Sequence, residues 1–352
     1  MSTTVYPAPI EVPIAASTTP HVTAAPKMPD VLPPAKVRSP IGAFVHQYPT
    51  MAIGGALLFL ILLVAVAAPL LWTVDPTALA PSKRTRPPSE LYWFGTDMLG
   101  RDIYSRTLYG ARVSLIVGFS VAALASIIGT FIGVVSGFVR WADGIIMRVM
   151  DGLMSIPPIL LAVALMALLG ASVRNVVTAI TIAEIPRVSR LVRGVVLSLR
   201  EQPYVEAAIA SGTRVPLIIW RHILPNTLAP ITVQATYICA SAMLTEAILS
   251  FIGAGTPPII PSWGNIMAEG RALWQVKPYI VFFPAVFLSI TVLSVNLMGD
   301  GLRDALDPRM AKRFSASLAG AWGPRALMAA VERRVSRLRR KGAPGATSRG
   351  GV

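Results

Sequence analysis

Six apolar runs divide this chain into alternating hydrophobic and polar segments. They occupy residues 51–72, 115–139, 156–170, 173–185, 228–252 and 279–297. A helix rises about 1.5 Å per residue, so about 20 apolar residues are needed to cross a hydrocarbon core of about 30 Å. The third run opens on Pro157 and Pro158, which suit the first turn of a helix, and the fourth stops at Pro186. The pattern predicts an all-α polytopic membrane protein with six transmembrane helices.

The basic residues are distributed unevenly between the two sides that six crossings create. With a cytosolic N-terminus, about 23 of the 32 lysines and arginines fall in cytosolic segments and about 9 in external loops. Cytosolic loops of membrane proteins carry an excess of such residues. The first external loop is the main exception, and Asp75, Glu90, Asp97 and Asp102 partly balance it. The distribution favours an orientation with both termini in the cytosol (N-in/C-in).

The two ends of the chain differ from its apolar centre. Residues 1–45 are rich in proline, alanine and threonine, which predicts a disordered cytosolic arm. Residues 311–352 form a basic tail whose apolar positions suit an amphipathic helix on anionic lipid; a solvated tail explains them equally well. Between these ends we expect residues 46–112 to hold the first transmembrane helix and an external segment. Residues 113–310 then form a core with five transmembrane helices and a cytosolic loop at 187–227.

Composition agrees with the membrane class and excludes several kinds of site. Of 352 residues, 54% are hydrophobic and 14% charged, against about 25% charged in soluble chains. The mean hydropathy is +0.62, and the formal net charge is +15. One cysteine, Cys239, rules out a disulfide framework or cysteine-based metal site, and the three histidines are far apart in sequence. We therefore expect no metal site.

Motifs for the common catalytic machineries are absent from the sequence. There is no GxxxxGK[ST] phosphate-binding loop, so we do not expect the chain to hydrolyse ATP by that machinery. The patterns GxSxG and HExxH are also absent. The sequence therefore predicts a protein that is not an enzyme and binds no cofactor itself.

A polar loop between the fourth and fifth apolar runs carries the most informative motif. In order, it contains Glu206-Ala207-Ala208, three residues, Gly212, and later His222-Ile223-Leu224-Pro225. The alanines favour a helix and allow close approach, while Glu206 presents a charge to a partner. Gly212 permits a bend between two short helices, and Pro225 lies where the next apolar helix begins. An amphipathic linker without a special role is the alternative interpretation.

This arrangement resembles the EAA motif of ABC importer permeases. The form RHILPN, with His222 where the general pattern has isoleucine, is similar to that of the peptide and nickel branch. Further stretches match that branch: FGTDMLGRD with its continuation at 94–115, MRVMD with the following Ile-Pro at 147–157, and NLMGDGLRDALDP at 296–308. The resemblance runs from about residue 45 to about residue 310.

The chain is thus similar to the C-type inner-membrane permease subunit of dipeptide/oligopeptide (and nickel) ABC importers. The resemblance implies a type I ABC importer permease fold in the bacterial cytoplasmic (inner) membrane, in contact with lipid, and peptide import by alternating access. It implies a second homologous permease subunit, two cytosolic ABC ATPase subunits that bind ATP and Mg, and an external solute-binding protein, but no nucleic acid. The motif segment of the family docks on the ATPase, which implies a coupling role for Glu206, Ala207, Ala208, Gly212, Leu224 and Pro225.

Charged residues outside this loop predict structural ion pairs. Asp97, Arg101, Asp102 and Arg106 have helix-compatible spacings in the external segment, which favours a lattice of ion pairs over direct substrate contact. Arg148 and Asp151 lie three residues apart at a helix start and predict a further structural pair.

Three glycines, Gly129, Gly133 and Gly137, have the small-xxx-small spacing that lets membrane helices pack closely.

Glu246 lies within the fifth apolar run, where an unpaired carboxylate is costly. It is either part of the translocation path, near the ammonium group of a peptide, or a hydrogen-bonded structural residue between helices. A rival function, a stand-alone ion-coupled secondary transporter, would use Glu246 or Glu184. Nickel or another small solute remains an alternative cargo within the favoured class.

Overall fold

The computed structural model describes residue 45 and residues 47–306, and this part of the chain is mostly helical. Its α-helices are α1 Pro49–Ala67, α2 Ile103–Phe138, α3 Arg140–Met154, α4 Pro158–Leu169, α5 Val173–Arg200, α6 Pro203–Ala210, α7 Val215–Ile218, α8 Leu224–Phe251, α9 Trp263–Gly270 and α10 Tyr279–Leu306. A π-helical segment, Ile219–Ile223, joins α7 to α8. The predicted N-terminal arm, apart from its last residue, and the predicted basic tail lie outside the described residues.

Four helical segments of the described chain are long and apolar enough to cross a membrane: Pro49–Leu70, Ile103–Phe138, Val215–Phe251 and Tyr279–Leu306. Helices α3 and α4, bent by 89° relative to each other, together count as a fifth. Helix α5 does not count, because Glu184, Arg187 and Arg190 interrupt its apolar sequence. The structure therefore shows a mostly helical chain with four to five membrane-length apolar helices, where the sequence predicts six.

The helix that contains the fourth apolar run does not end where the sequence predicts. A helix end at Pro186 is wrong, because α5 continues through this proline to Arg200. Proline lacks the N–H that would bond to the carbonyl four residues earlier, and its ring crowds that carbonyl. Tertiary packing outweighs this cost, since Val188, Val192 and Val196 are completely buried on the face of α5 that contacts α2.

The contact between α2 and α5 is close because glycine recurs at every fourth position of α2. A Cβ atom added at Gly129, Gly133 or Gly137 would come within 2.5, 2.6 and 2.7 Å, respectively, of atoms of α5. These separations are shorter than real Cβ contacts, so no other residue fits without displacing a helix. The packing role predicted from the small-xxx-small pattern is confirmed.

Helix α2 lies at the centre of the bundle. It packs against α5, α8 and α1, while α10 packs against α1 and α8. Completely buried side chains at these contacts include Val117 and Val121 of α2, Ala179 of α5, and Ile238 and Met243 of α8. The shared core holds the segment predicted to be external at one end of α2 and the motif loop near the other.

Candidate functional site

The motif loop folds into two short helices joined by a tight turn. Helix α6 ends at Ala210, and the turn places Gly212 at φ +74°, a left-handed conformation that glycine adopts without strain. The backbone N–H of Gly212 donates to the carbonyl of Ile209 at 2.9 Å, and that of Thr213 donates to Ala208 at 3.1 Å. These bonds satisfy carbonyls at the end of α6, as in other glycine-terminated helices. The bend predicted at Gly212 is therefore present.

The segment 203–225, here called the coupling segment, is anchored on one side and exposed on the other. Val205, Ile218 and Ile223 are buried against the helical core. The opposite side exposes the apolar side chains Tyr204, Ile209, Val215, Leu217 and Trp220, the last at 71% of its surface. Contiguous apolar surface of this kind marks a site of protein–protein or membrane contact.

The residues predicted to couple this segment to a partner lie on or beside that exposed side. Glu206 lies in the first turn of α6, where the helix dipole favours a negative charge, and Ala207 next to it is also exposed. Glu206 has no ion pair or side-chain hydrogen bond within the described residues, so its carboxylate is free for a partner. Leu224 is half-buried and Pro225 exposed in the first turn of α8, while Ala208 packs partly against the core.

A cluster of four charged side chains, most of them buried, lies at the start of α2; it is here called the external ion cluster, after the segment that the sequence predicts to be external. Asp97 Oδ2 accepts from Arg101 Nε at 2.7 Å and from Arg106 Nη1 at 2.6 Å. Glu269 of α9 completes the cluster, 2.7 Å from Arg106 Nη1 and in contact with Arg101. Asp97 and Arg106 are both fully buried, so each charge depends on its partners for compensation.

Asp97 stays ionised because of these partners. Burial alone would raise the pKa of this carboxyl, but the guanidinium groups of Arg106 and Arg101 and the backbone N–H of Arg101 hold the pKa below its usual value. The structure thus brings Asp97, Arg101 and Arg106 together as the sequence predicts. It adds Glu269, whose position 163 residues beyond Arg106 left no signal in local spacing.

Asp102 and Asp151, which the sequence also assigns to ion pairs, have other partners in the structure. Asp102 caps α2, accepting from the backbone N–H of Ser105 at 2.8 Å and from its hydroxyl at 2.5 Å. Asp151 pairs with Arg190 of α5 at 2.5 Å, so the predicted Arg148–Asp151 pair is not the one that forms. Arg190 reaches Asp151 across the α3–α5 contact, while Arg148 points to the exposed side of α3.

Glu246 lies in a polar cluster inside the bundle rather than at its surface. It is completely buried, accepts from Ser250 Oγ at 2.9 Å and from Ser114 Oγ of α2 at 3.3 Å. The Ser250 hydroxyl continues to Thr256 Oγ1 at 3.1 Å, and Asn265 of α9 donates to the same threonine oxygen at 2.9 Å. This chain of hydrogen bonds ties the loop after α8 to α2, α8 and α9.

No group of three or more histidine, cysteine, aspartate or glutamate side chains within residues 45 and 47–306 has the arrangement of a metal site. Cys239 is buried and unpaired in α8. The sites that the described chain offers are therefore a surface for a partner and polar groups inside or beside the bundle.

Comparison with known proteins identifies the family. A family model described as the inner membrane component of binding-protein-dependent transport systems matches residues 125–312. The chain is 54% identical over 267 residues to a probable peptide ABC transporter permease protein of Sinorhizobium fredii, covering 76% of this chain and 91% of that protein.

Two further relatives come from other bacteria. A dipeptide transport system permease protein of Alkalihalophilus pseudofirmus is 46% identical over 71% of this chain and 82% of its own length. An oligopeptide transport system permease protein of Bacillus subtilis is 39% identical over 74% of this chain and 86% of its own length. Together with the apolar helices, these matches establish a multi-pass protein of the bacterial cytoplasmic membrane. The chain belongs to the family of inner-membrane components of binding-protein-dependent transport systems.

Proposed function

We propose that this chain is a permease subunit of an ATP-driven importer that moves di- or oligopeptides across the cytoplasmic membrane by alternating access. The observation that carries the proposal is its identity of 39–54% with permease proteins named for peptide, dipeptide and oligopeptide transport. Other relatives are named for glutathione transport, so small peptide-like solutes recur among them. Nickel or another small solute, and a stand-alone ion-coupled transporter, are the less favoured alternatives.

The coupling segment supplies the contact with the ATPase in this proposal. Its exposed apolar patch, with Trp220 and Leu217 at about the centre of the sequence between Gly212 and Pro225, offers the area that a partner buries. Glu206, Ala207 and Ala208 form the helix that enters the partner, and Gly212, Leu224 and Pro225 fix its angle to α8. Two cytosolic ATPase subunits bind ATP and Mg, and this chain binds neither.

A rigid coupling segment is needed because a partner biases an equilibrium only through contacts that differ between its two states. The Glu206→Lys change reverses an exposed charge without touching the core, so we expect uptake to be abolished while the chain still inserts into the membrane. Uptake in cells, together with the amount of chain in the membrane fraction, measures both quantities. Normal uptake would contradict the assignment of Glu206 to the docking surface.

The proposed membrane arrangement has six crossings with both termini in the cytosol. The four apolar segments, the bent α3–α4 pair and α5 together supply six crossings. Helix α5 carries charged residues because it lies beside protein rather than lipid along much of its length; Val188, Val192 and Val196 are buried against α2. A second homologous permease subunit would complete the pathway, and an external solute-binding protein would deliver the substrate.

The surroundings of Glu246 support a structural role over direct substrate contact. Its carboxylate is completely enclosed and accepts hydrogen bonds from two serine hydroxyls, Ser250 and Ser114. A Glu246→Gln variant keeps the size of the side chain but loses one acceptor. We assign Glu246 to holding the loop after α8 against α2, a role in which this variant reduces the amount of folded chain.

The deciding experiment is purification of the tagged chain from its native membrane in mild detergent, followed by mass spectrometry of the accompanying proteins. We expect two ATPase subunits with phosphate-binding loops, or two copies of one, and a second permease. Reconstitution of the purified material with a solute-binding protein and ATP then tests peptide uptake. Transport by this chain alone in liposomes without ATP would overturn the proposal.

A further inference from the structure

A cleft separates α5 from α8 on the side of the molecule where the coupling segment lies. It encloses about 480 Å³ and is lined by Leu191 of α5, Pro230, Gln234 and Tyr237 of α8, and Arg303 of α10. One end of the cleft is near the first turns of α8, which follow directly from the coupling segment. The cleft therefore opens toward the end of the bundle that contacts the ATPase in the proposed function.

Polar side chains continue from this cleft along one face of α8. Gln234, Tyr237, Ser241 and Thr245 are spaced three, four and four residues apart, which places them on one stripe of a helix. Each of the four is partly exposed. The side-chain amide of Gln234 has no hydrogen-bond partner among the described residues, so its donors and acceptor face the cleft unpaired.

Glu184 of α5 lies across from the middle of this stripe. Its Oε1 is 3.4 Å from Ser241 Oγ, and its Oε2 is buried without a hydrogen bond. The only charged neighbour among the described residues is Arg187, one turn along α5, with Nη1 3.4 Å from Oε2 and half of its side chain exposed. A carboxylate that is 4% exposed and only loosely partnered has hydrogen-bonding capacity that the described residues do not use.

Another face of α8 has a different character. There Leu224, Leu228 and Ile231 line an apolar groove with Ile127 and Phe131 of α2. The exposed Thr232 on α8 turns its hydroxyl to the backbone carbonyls of Leu228 and Ala229, at 3.0 and 2.9 Å. An apolar groove and a self-satisfied hydroxyl suit contact with lipid, whereas the unpaired amide of Gln234 and the loosely partnered carboxylate of Glu184 do not.

We propose that the substrate passes this chain along the α5–α8 cleft, where Gln234 and Ser241 bond to the amide groups of a peptide and Glu184 bonds to its ammonium group. The inference rests on the proposed function and names residues of the translocation path. Amide, hydroxyl and carboxylate groups can take the place of water as hydrogen-bond partners of the N–H, C=O and ammonium groups of a peptide. Glu246 lies outside the cleft, enclosed in its own cluster.

Accessibility to a charged reagent tests whether the cleft contains water. Cys239 is the only cysteine, so a Cys239→Ser background allows single-cysteine variants. We compare Gln234→Cys and Ser241→Cys with the matched control Thr232→Cys, which is exposed on the lipid-facing side of the same helix. The probe is a membrane-impermeant cationic methanethiosulfonate, applied to inside-out vesicles that contain the assembled importer.

We expect the two cleft variants to react about tenfold faster than the control, because thiolates form in water and scarcely in hydrocarbon. Peptide and solute-binding protein enclosed in the vesicle lumen, with ATP added outside, should slow the reaction at the cleft and leave the control unchanged. Equal reactivity at the three positions, or protection of the cleft by the second permease alone, would overturn the proposal. ATP-dependent release of the enclosed peptide from the same vesicles is measured in parallel, so failure of the cleft proposal is distinguished from failure of the importer function.

A second comparison tests the ammonium contact. Glu184→Gln keeps the shape and removes the charge, and we expect uptake of a peptide with a free amino terminus to fall about tenfold, the value of one ion pair of about 1.4 kcal/mol. Glu184→Asp, which restores the charge, should recover part of this loss. The amount of assembled complex is measured for all three proteins, and uptake is expressed per complex. Equal uptake by Glu184→Gln and the unchanged protein would refute the role of Glu184.

Discussion

The external ion cluster and the coupling segment, near opposite ends of α2, show two ways of placing charge on a membrane protein. In the cluster, Asp97 and Arg106 are fully buried and every charge has an opposite charge within the chain. In the coupling segment, Glu206 has no ion pair or side-chain hydrogen bond among the described residues, and Trp220 exposes 71% of its surface. The cluster is complete within one chain, while the coupling segment is half of an interface. Stability should therefore depend on the first region, and assembly on the second.

The largest effect is expected from the Asp97→Ala change. It leaves Arg106 buried beside a single remaining carboxylate, and loss of one partner from a buried ion pair costs about 3–5 kcal/mol. The expected result is a lower unfolding temperature of the detergent-purified chain and less chain in the membrane. Glu90→Ala is the matched control, because Glu90 is exposed in the same external segment and has no ion pair among the described residues. Equal unfolding temperatures for both variants would remove the cluster from the list of stabilising elements.

The next effect concerns assembly rather than folding. Trp220→Ala removes the most exposed aromatic side chain of the coupling segment, and truncation of a central aromatic residue weakens an interface by roughly 2 kcal/mol, or about 30-fold in affinity. Titration of the ATPase subunit onto the purified permease measures that affinity, and thermal unfolding of the isolated chain should be unchanged. Trp72→Ala serves as the control, since Trp72 is 87% exposed at the opposite end of the molecule. A similar loss in both variants would contradict docking at the coupling segment.

A smaller effect follows from the backbone of the turn. Gly212 has a φ of +74° with no atom near its missing side chain, so Gly212→Ala adds strain without a clash. A non-glycine residue in this conformation costs about 1–2 kcal/mol. We expect a partial loss of uptake at normal abundance, measured as transport per complex. Gly144→Ala in α3 is the control, because its Cβ would also meet open space but its backbone is helical; a greater loss there would reverse the argument.

The smallest effect is expected at the ion pair between Asp151 of α3 and Arg190 of α5. Asp151 and Arg190 are 60% and 50% exposed, and exposed ion pairs contribute about 0–1 kcal/mol. Asp151→Ala should therefore change the unfolding temperature by much less than Asp97→Ala does. Arg148→Ala should have no measurable effect, since Arg148 forms no ion pair within the described residues. A destabilisation at Asp151 as large as that at Asp97 would show that burial does not explain the difference between the two pairs.

The short helices and the turn of the coupling segment are predictable from the sequence because their signals are local. The alanines after Glu206, the glycine that ends α6 and the proline that opens α8 each act within one or two helical turns. The glycine pattern of α2 likewise predicts a close contact, though not its partner helix. Periodicity and spacing could not find Glu269 or Arg190, because each reaches its partner across a tertiary contact.

Two features lie beyond the reach of local sequence patterns for the same physical reason. The rule that proline ends a helix fails at Pro186, because the buried valines of α5 contribute more packing energy than the missing hydrogen bond costs. Glu184 is indicated by sequence only as a charge in an apolar run. Its position opposite Ser241 depends on how α5 and α8 approach each other, which no local pattern specifies.

The length of α2 has a mechanical consequence. At 36 residues it extends for about 54 Å, well beyond the thickness of a hydrocarbon core of about 30 Å. Arg106 near one end holds the external ion cluster, while the carbonyl of Gly137 near the other accepts a hydrogen bond from Arg200, three residues before the coupling segment begins. Such a rod acts as a lever: a tilt of about 5° about one end displaces the other by about 5 Å, close to one helical turn.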